Sequence, residues 1–297
     1  PEPQPSPGRL VVRFLDVGQG DSELIQTPKG DNVLIDSGDR GAPTVRLLRQ
    51  FGVQQLDLVI ATHPHSDHIG EMRDVMRAFK VVEFWDSGFN HTTRTYADML
   101  QEIKDQKIRL ATPKRGDLRR FGEVLIEVLN PSEHLPDANP NNASIVIRLS
   151  FGAKRFLFTG DAEYNPAAGS SAWEKMIERD KDNLRADLLK AAHHGSSDGT
   201  TREVLDAVDP SIVTISCAAG NDYHHPQPRV MQLLAESAGR IRLFRTDLEG
   251  TITAVSDGNT IEVSTERQVS GGRLFLTGDE LRGTVPGGGR RGGTGGQ

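Results

Sequence analysis

The sequence predicts an α/β fold, with two mixed β-sheets packed face to face and flanked by helices within one domain. Two observations lead there. Each half of the chain opens with short apolar or β-branched runs separated by turn residues. Each then continues with strands alternating with helical periodicity, the order of a layered α/β domain. No Pro- or Gly-rich linker interrupts residues 9–266, so both halves belong to one folded unit.

Taken in order, runs at 9–16, 22–26 and 32–36 read as a strand meander, broken at Gly18-Gln19-Gly20-Asp21 and Pro28-Lys29-Gly30-Asp31, where the residues favour turns. A helix at 43–51, a fully apolar strand at 56–61 and a helix over 68–79 follow. Strands near 81–85, 108–112 and 124–129 surround a helix at about 93–106. In the second half, 144–149 and 155–159 form a hairpin closed at Phe151-Gly152-Ala153. Next come a helix near 171–179, a strand at 186–191, a helix from 201, a strand at 211–215 and a helix at 228–236. Strands near 241–245, 250–255 and 260–264 complete the body.

The ends differ in kind. Residues 1–8 are a Pro-rich linker, with four prolines in the first seven positions favouring an extended chain. Pro1 in place of Met suggests a removed signal peptide or tag, and favours an exported protein over a cytoplasmic one. Residues 267–297 read as a Gly-rich disordered tail, because too little apolar surface is present to offset the entropy of ordering.

Lys and Arg total 35 against 41 Asp and Glu, a formal charge of −6. That argues against nucleic-acid binding over the whole surface, leaving local clusters at Lys114-Arg115, Arg119-Arg120, Arg148, Lys154-Arg155 and Arg290-Arg291. The lone Cys217 excludes an internal disulfide and a Cys-rich zinc site, and its apolar surroundings make it a buried thiol. No run of 18 apolar residues marks a membrane span in this chain.

Histidine is the informative residue type. Seven of the nine fall in three clusters, His63/His65/His68, His193/His194 and His224/His225, while His91 and His134 stand apart. In Thr62-His63-Pro64-His65-Ser66-Asp67-His68, four ligand-type side chains leave the end of a buried strand within six residues. They can converge on one point, and imidazole with carboxylate suits Zn²⁺, Mn²⁺ or Fe²⁺. Such a string arises by chance on the order of once in a thousand chains or less.

The string resembles the signature of the metallo-β-lactamase superfamily. Further segments resemble its ComEC/Rec2-type branch, which includes the soluble domain of the DNA-uptake channel. These are Phe14 to Asp21, Leu34-Ile-Asp-Ser-Gly38, Asn141-Asn-Ala-Ser144, Leu157-Phe-Thr-Gly-Asp161, Leu189 to Ser196 and His224-His-Pro226. The resemblance implies an αββα sandwich with two divalent metal ions, Zn or Mn, at one sheet edge. His63 and His65 would bind the first ion, Asp67 and His68 the second, and Asp161 would bridge them. His225, ahead of His224, would complete the second site. Asp36 would stand behind the ligands and orient a histidine through its ring N–H. One departure weakens the first site: Asn141-Asn142 stands where many superfamily hydrolases supply a histidine; His134 is a poor substitute, and His193 or His194 could also reach the site.

Two such ions acidify a water molecule and clamp attacking and leaving oxygens, so ester, amide or phosphodiester hydrolysis follows. Asp67 is the candidate to orient or deprotonate the water. Lys190, His193 and His194, at a strand end, could hold a phosphate and protonate a leaving oxygen. The Gly18–Ser22 loop is read equally as a turn or as backbone N–H donors near the site. For Asn142 and Ser144 a substrate contact competes with turn capping, which is favoured; Asn142 is also a candidate to stand behind the ligands. The second Thr-Gly-Asp string, ending at Asp279, lies beyond the last strand without a histidine partner and reads as non-catalytic. A DNA phosphodiesterase, working free or with a separate membrane partner, leads. A hydrolase of a small lactam, lactone or nucleotide phosphodiester is the alternative, followed by a non-catalytic DNA-binding or uptake-assembly module.

Overall fold

The computed structural model describes residues 8–131, 139–168, 171–269 and 271–282. One sheet has eight strands in the order Ile261–Thr265, Ile252–Ser256, Leu10–Phe14, Glu23–Gln26, Asn32–Ile35, Leu58–Ala61, Glu83–Asp86 and Arg109–Ala111. Pairing is antiparallel up to Asn32–Ile35 and parallel beyond it. The other sheet has seven strands: Arg242–Arg245, Ile212–Ile215, Leu188–Lys190, Lys154–Phe158, Val146–Phe151, Val124–Asn130 and Leu118–Phe121. Here pairing is parallel up to Lys154–Phe158 and antiparallel beyond it.

Strand alternation explains the layering, since successive side chains leave opposite faces. Val33 and Ile35 face a central core shared with Ile147, Phe156 and Phe158 of the opposite sheet. Between the sheets, Phe14 and Phe158 stack with ring centroids 6.0 Å apart. Leu34, one position out of phase, packs outward against Leu47, Leu48 and Met76 of the covering helices. The second sheet does the same, with Leu157 and Leu189 facing Trp173, Met176 and Val230. Strands buried on both faces read as continuous apolar runs, which is why they stand out in the sequence.

The differences from expectation are local. The helix expected over 68–79 is two, Ser66–Ile69 and Met72–Ala78. Between them the Gly70 backbone packs so tightly on the 39–40 segment that a Cβ would lie 2.3 Å from the Arg40 nitrogen. Two-residue strands Gln55–Leu56 and Lys80–Val81 pair on their own, too short to show periodicity. The region expected to be disordered from 267 onward carries helical turns at Gly271–Phe275 and Gly278–Arg282. Arg245, fully buried, holds them by donating to the carbonyl oxygens of Leu274 (3.0 Å) and Leu276 while paired to Asp247 at 2.7 Å. Residues 1–7 and 283–297 lie outside the described residues.

In both sheets the ligand-type residues follow the point where antiparallel pairing becomes parallel. Asp36 and Asp161 follow the last antiparallel strands, Asn32–Ile35 and Lys154–Phe158. His63 and His65, and His193 and His194, follow the first parallel strands, Leu58–Ala61 and Leu188–Lys190. Phe158→Ala is expected to cost about 3–5 kcal/mol, as for other buried aromatic truncations. Chemical denaturation would show a lower midpoint at unchanged slope.

Candidate metal centre

Asp161 sits at the centre of the converging loops. Its Oδ2 lies 3.7 Å from His63 Nε2, 3.2 Å from His68 Nε2, 3.8 Å from His193 Nε2 and 3.6 Å from His194 Nε2. Two ligand sets share it: Asp67, His68, Asp161 and His194 form one, and His63, His65 and Asp161 the other. His63 Nε2 approaches His65 Nδ1 at 3.1 Å. Asp67 Oδ2 lies 3.2 Å from His194 Nε2.

The rings are aimed from behind. Asp36, buried, accepts the Thr62 N–H at 2.8 Å and the Thr62 hydroxyl at 2.6 Å, and its Oδ2 lies 2.7 Å from His68 Nδ1. Ser144 Oγ accepts the Asp161 N–H at 3.1 Å. His194 Nδ1 meets the Ser216 carbonyl at 2.9 Å and Asp21 Oδ1 at 3.2 Å. His193 Nδ1 lies 3.1 Å from Asp198 Oδ1. His193 and His194 have φ of +52° and +53° and are followed by Gly195 at +84°. Left-handed backbone at non-Gly residues is strained, and here it turns both rings back toward Asp161.

These residues fit divalent ions. His68 Nε2, His194 Nε2, His225 Nδ1 and Asp161 Oδ1 are buried and make no hydrogen bond, although buried polar atoms are normally satisfied. Asp21, Asp36, Asp67 and Asp161 also concentrate negative charge there. Burial acts to raise the Asp161 carboxyl, but His68, His194 and His193 outweigh it and hold it well below the usual carboxylate range. Burial likewise acts to lower the His194 imidazole, while Asp161, Asp21 and Asp67 lift it to about 10. A pocket that draws protons this strongly onto a buried imidazole is one that attracts cations.

Several expected roles move. The group that joins Asp67, His68 and Asp161 is His194, where His225 was expected. His225 stands one rank out, its ring centroid 5.4 Å from His193 and 6.0 Å from His194. Its imidazole falls to about 4 through burial and the charges of His194 and His193. Lys190, expected to hold a phosphate, is 1% exposed and pairs with Asp21 beneath the site. Its strand places it between the sheets. Asn142 caps backbone instead of backing a ligand, its Oδ1 accepting the N–H groups of Ala172 at 2.9 Å and Glu163 at 3.3 Å. His134 lies outside the described residues.

Other residues emerge from the structure. Asp21 links Lys190 to His194, and its signal was the Gly18–Ser22 loop. There a Cβ at Gly20 would lie 1.9 Å from the Asp67 carbonyl oxygen, so glycine lets two ligand-bearing loops touch. Asp198 backs His193, and His91 approaches His65 with ring centroids 5.9 Å apart. Asp279, read as lacking a histidine partner, pairs with His224. Within the basic clusters four side chains are ion-paired, Arg115 with Asp180, Arg119 with Glu83, Arg148 with Glu127 and Lys154 with Asp187, while Lys114, Arg120 and Arg155 are exposed. Arg290-Arg291 lies outside the described residues.

Residues 15–219 match the family model described as Metallo-beta-lactamase superfamily. The chain belongs to that superfamily. Its members are generally metal-dependent hydrolases, and the candidate metal site agrees with that class. The chain is 32% identical over 261 residues to ComE operon protein 3 of Bacillus subtilis, a match covering 81% of this chain and 32% of that protein. It is 27% identical to Competence protein ComA of Neisseria gonorrhoeae, covering 85% of this chain and 33% of the relative. It thus spans about a third of these relatives. Among solved structures it is similar to CmlA, a diiron β-hydroxylase from Streptomyces venezuelae, with a TM-score of 0.54 and 15% identity over 84% of this chain and 54% of that one. It is also similar to the metallo-beta-lactamase fold protein YhfI from Bacillus subtilis, with a TM-score of 0.50 and 14% identity over 83% and 99% of the two chains. These last likenesses show the fold alone. Among the described residues no helix is long and apolar enough to cross a membrane.

Two expectations follow for the metal-loaded protein. Asp36→Asn removes the charge behind His68 and is expected to weaken metal affinity roughly 10–100-fold, measured by competition with a chromogenic chelator. His194→Ala is expected to lower bound metal from about two ions per chain to about one, read by elemental analysis. Loss of an ion in His225→Ala with both retained in His194→Ala would instead make His225 the ligand.

Proposed function

We propose that this domain is a metal-dependent phosphodiesterase acting on DNA, in the setting of DNA uptake and beside a membrane partner. The observation that carries the reading is the single buried carboxylate, Asp161, shared by two sets of ligand-type side chains. The similarity to a competence protein and to the uptake-channel branch supports DNA as the substrate.

Asp67, His68, Asp161 and His194 would hold one divalent ion and His63, His65 and Asp161 the other, Zn²⁺ or Mn²⁺ by donor type. When bound, the pair acidifies a water molecule and offsets the charge developing on the phosphoryl oxygens. Asp67 is the more open of the two ligand-set carboxylates, 21% exposed against 2% for Asp161, and orients the attacking water from the substrate side. His193, 23% exposed at its side chain, faces the same space with Asp198 behind it and binds a phosphoryl oxygen. The buried Lys190–Asp21 pair takes no part in contact and keeps His194 in position from below.

The ion pairs that engage Arg115, Arg119, Arg148 and Lys154 favour a second reading, in which a small nucleotide phosphodiester is the substrate, because a long duplex needs several free cations along its backbone. Chelated protein given Zn²⁺, Mn²⁺ or Mg²⁺ separately, with linear and plasmid DNA and a cyclic dinucleotide, separates the two. DNA cleavage is expected to return with metal and to fall about 10²- to 10⁴-fold in Asp67→Ala. Metal-restored cleavage of the dinucleotide alone would select the second reading. No cleavage of any phosphodiester would refute both.

A further inference from the structure

Among the described residues few large apolar side chains are exposed, and one of them, Tyr223, at 60% exposure, lies against His225, whose ring is next to those of His193 and His194. Its ring is nearly parallel to that of His225, at 22° with centroids 5.9 Å apart, so one side has an aromatic backing.

An isolated exposed ring is ordinary; the backbone that carries this one is pinned. Asn221 Oδ1 accepts the N–H groups of Tyr223 at 3.1 Å and His225 at 3.0 Å, and Asn221 Nδ2 donates to the His225 carbonyl at 2.6 Å. The C-terminal turn fastens this loop from outside: Arg282 donates to the Asn221 carbonyl at 2.8 Å and the Gly278 N–H to the Pro226 carbonyl at 3.0 Å. A Cβ at Gly278 would lie 2.4 Å from the His225 oxygen, so the two segments are in direct backbone contact. A pinned backbone with the His225 ring on one side limits the freedom Tyr223 has to lose when a flat partner lands on it.

We propose that Tyr223 is a stacking platform for an unpaired nucleobase beside the metal centre, so that the nucleic acid this site takes is a single strand. The inference rests on the phosphodiesterase reading. Bases inside a duplex already have both faces covered, whereas an unpaired base offers one.

The test uses the full chain with Mn²⁺, a single-stranded oligonucleotide, its blunt duplex and the same strand with abasic residues. Cleavage is measured, and binding is read separately by fluorescence anisotropy on chelated protein. The wild type is expected to prefer the base-bearing single strand in both assays. Tyr223→Ala is expected to cut the ratio of base-bearing to abasic binding about tenfold, the scale of one lost aromatic–base stack, and Tyr223→Phe to restore it. Equal ratios in wild type and Tyr223→Ala overturn the platform. A Tyr223-dependent binding preference without any cleavage would uphold the platform and defeat the phosphodiesterase reading.

Discussion

Four imidazole nitrogens lie within 4 Å of one oxygen of Asp161, and much of the architecture serves that concentration of groups. Packing histidines and carboxylates together away from water is unfavourable unless each is hydrogen-bonded or compensated by charge. Here Asp36, Ser216 and Asp198 take up the far ring nitrogens, while the near ones are left to face Asp161. The result is a cavity wall whose bonding capacity points inward. The rest of the fold supplies rigid walls for it.

Those walls come from two halves built alike. Each contributes an antiparallel meander followed by parallel strands, and each delivers a carboxylate and then a pair of histidines at the change of pairing. Loops at such points diverge and leave a crevice, as in other open α/β sheets. Because the sheets face one another, the two crevices meet. Asp21 belongs to the first half and Lys190 to the second, and their buried contact shows how closely the halves are joined under the site.

Much of this was legible in the chain. Leu58–Ala61 is an apolar run because helices cover one face and the opposite sheet the other, and the Thr93 cap marks the start of Arg94–Asp105. The His63-to-His68 string announced itself by density alone. What escaped was decided by backbone direction or distant contact. Choosing His194 over His225 requires the left-handed turn at 193–195, which no residue type in that stretch demands except Gly195. Lys190 could have been placed, since it shares parity with Leu188 and therefore faces the space between the sheets. The pairing of His224 with Asp279 joins residues 55 apart, and no local pattern reports such a contact.

The Lys190–Asp21 contact spans 169 residues of chain. Contacts of that separation form late, because loop closure has to be overcome before they return any stability. A chain with only its first half folded holds His63, His65, Asp67 and His68 but neither Asp161 nor His194. Such a nascent or partly folded molecule carries neither complete ligand set, so the candidate centre arrives only with global folding. Metal binding to the finished site then stabilises the native state as a whole.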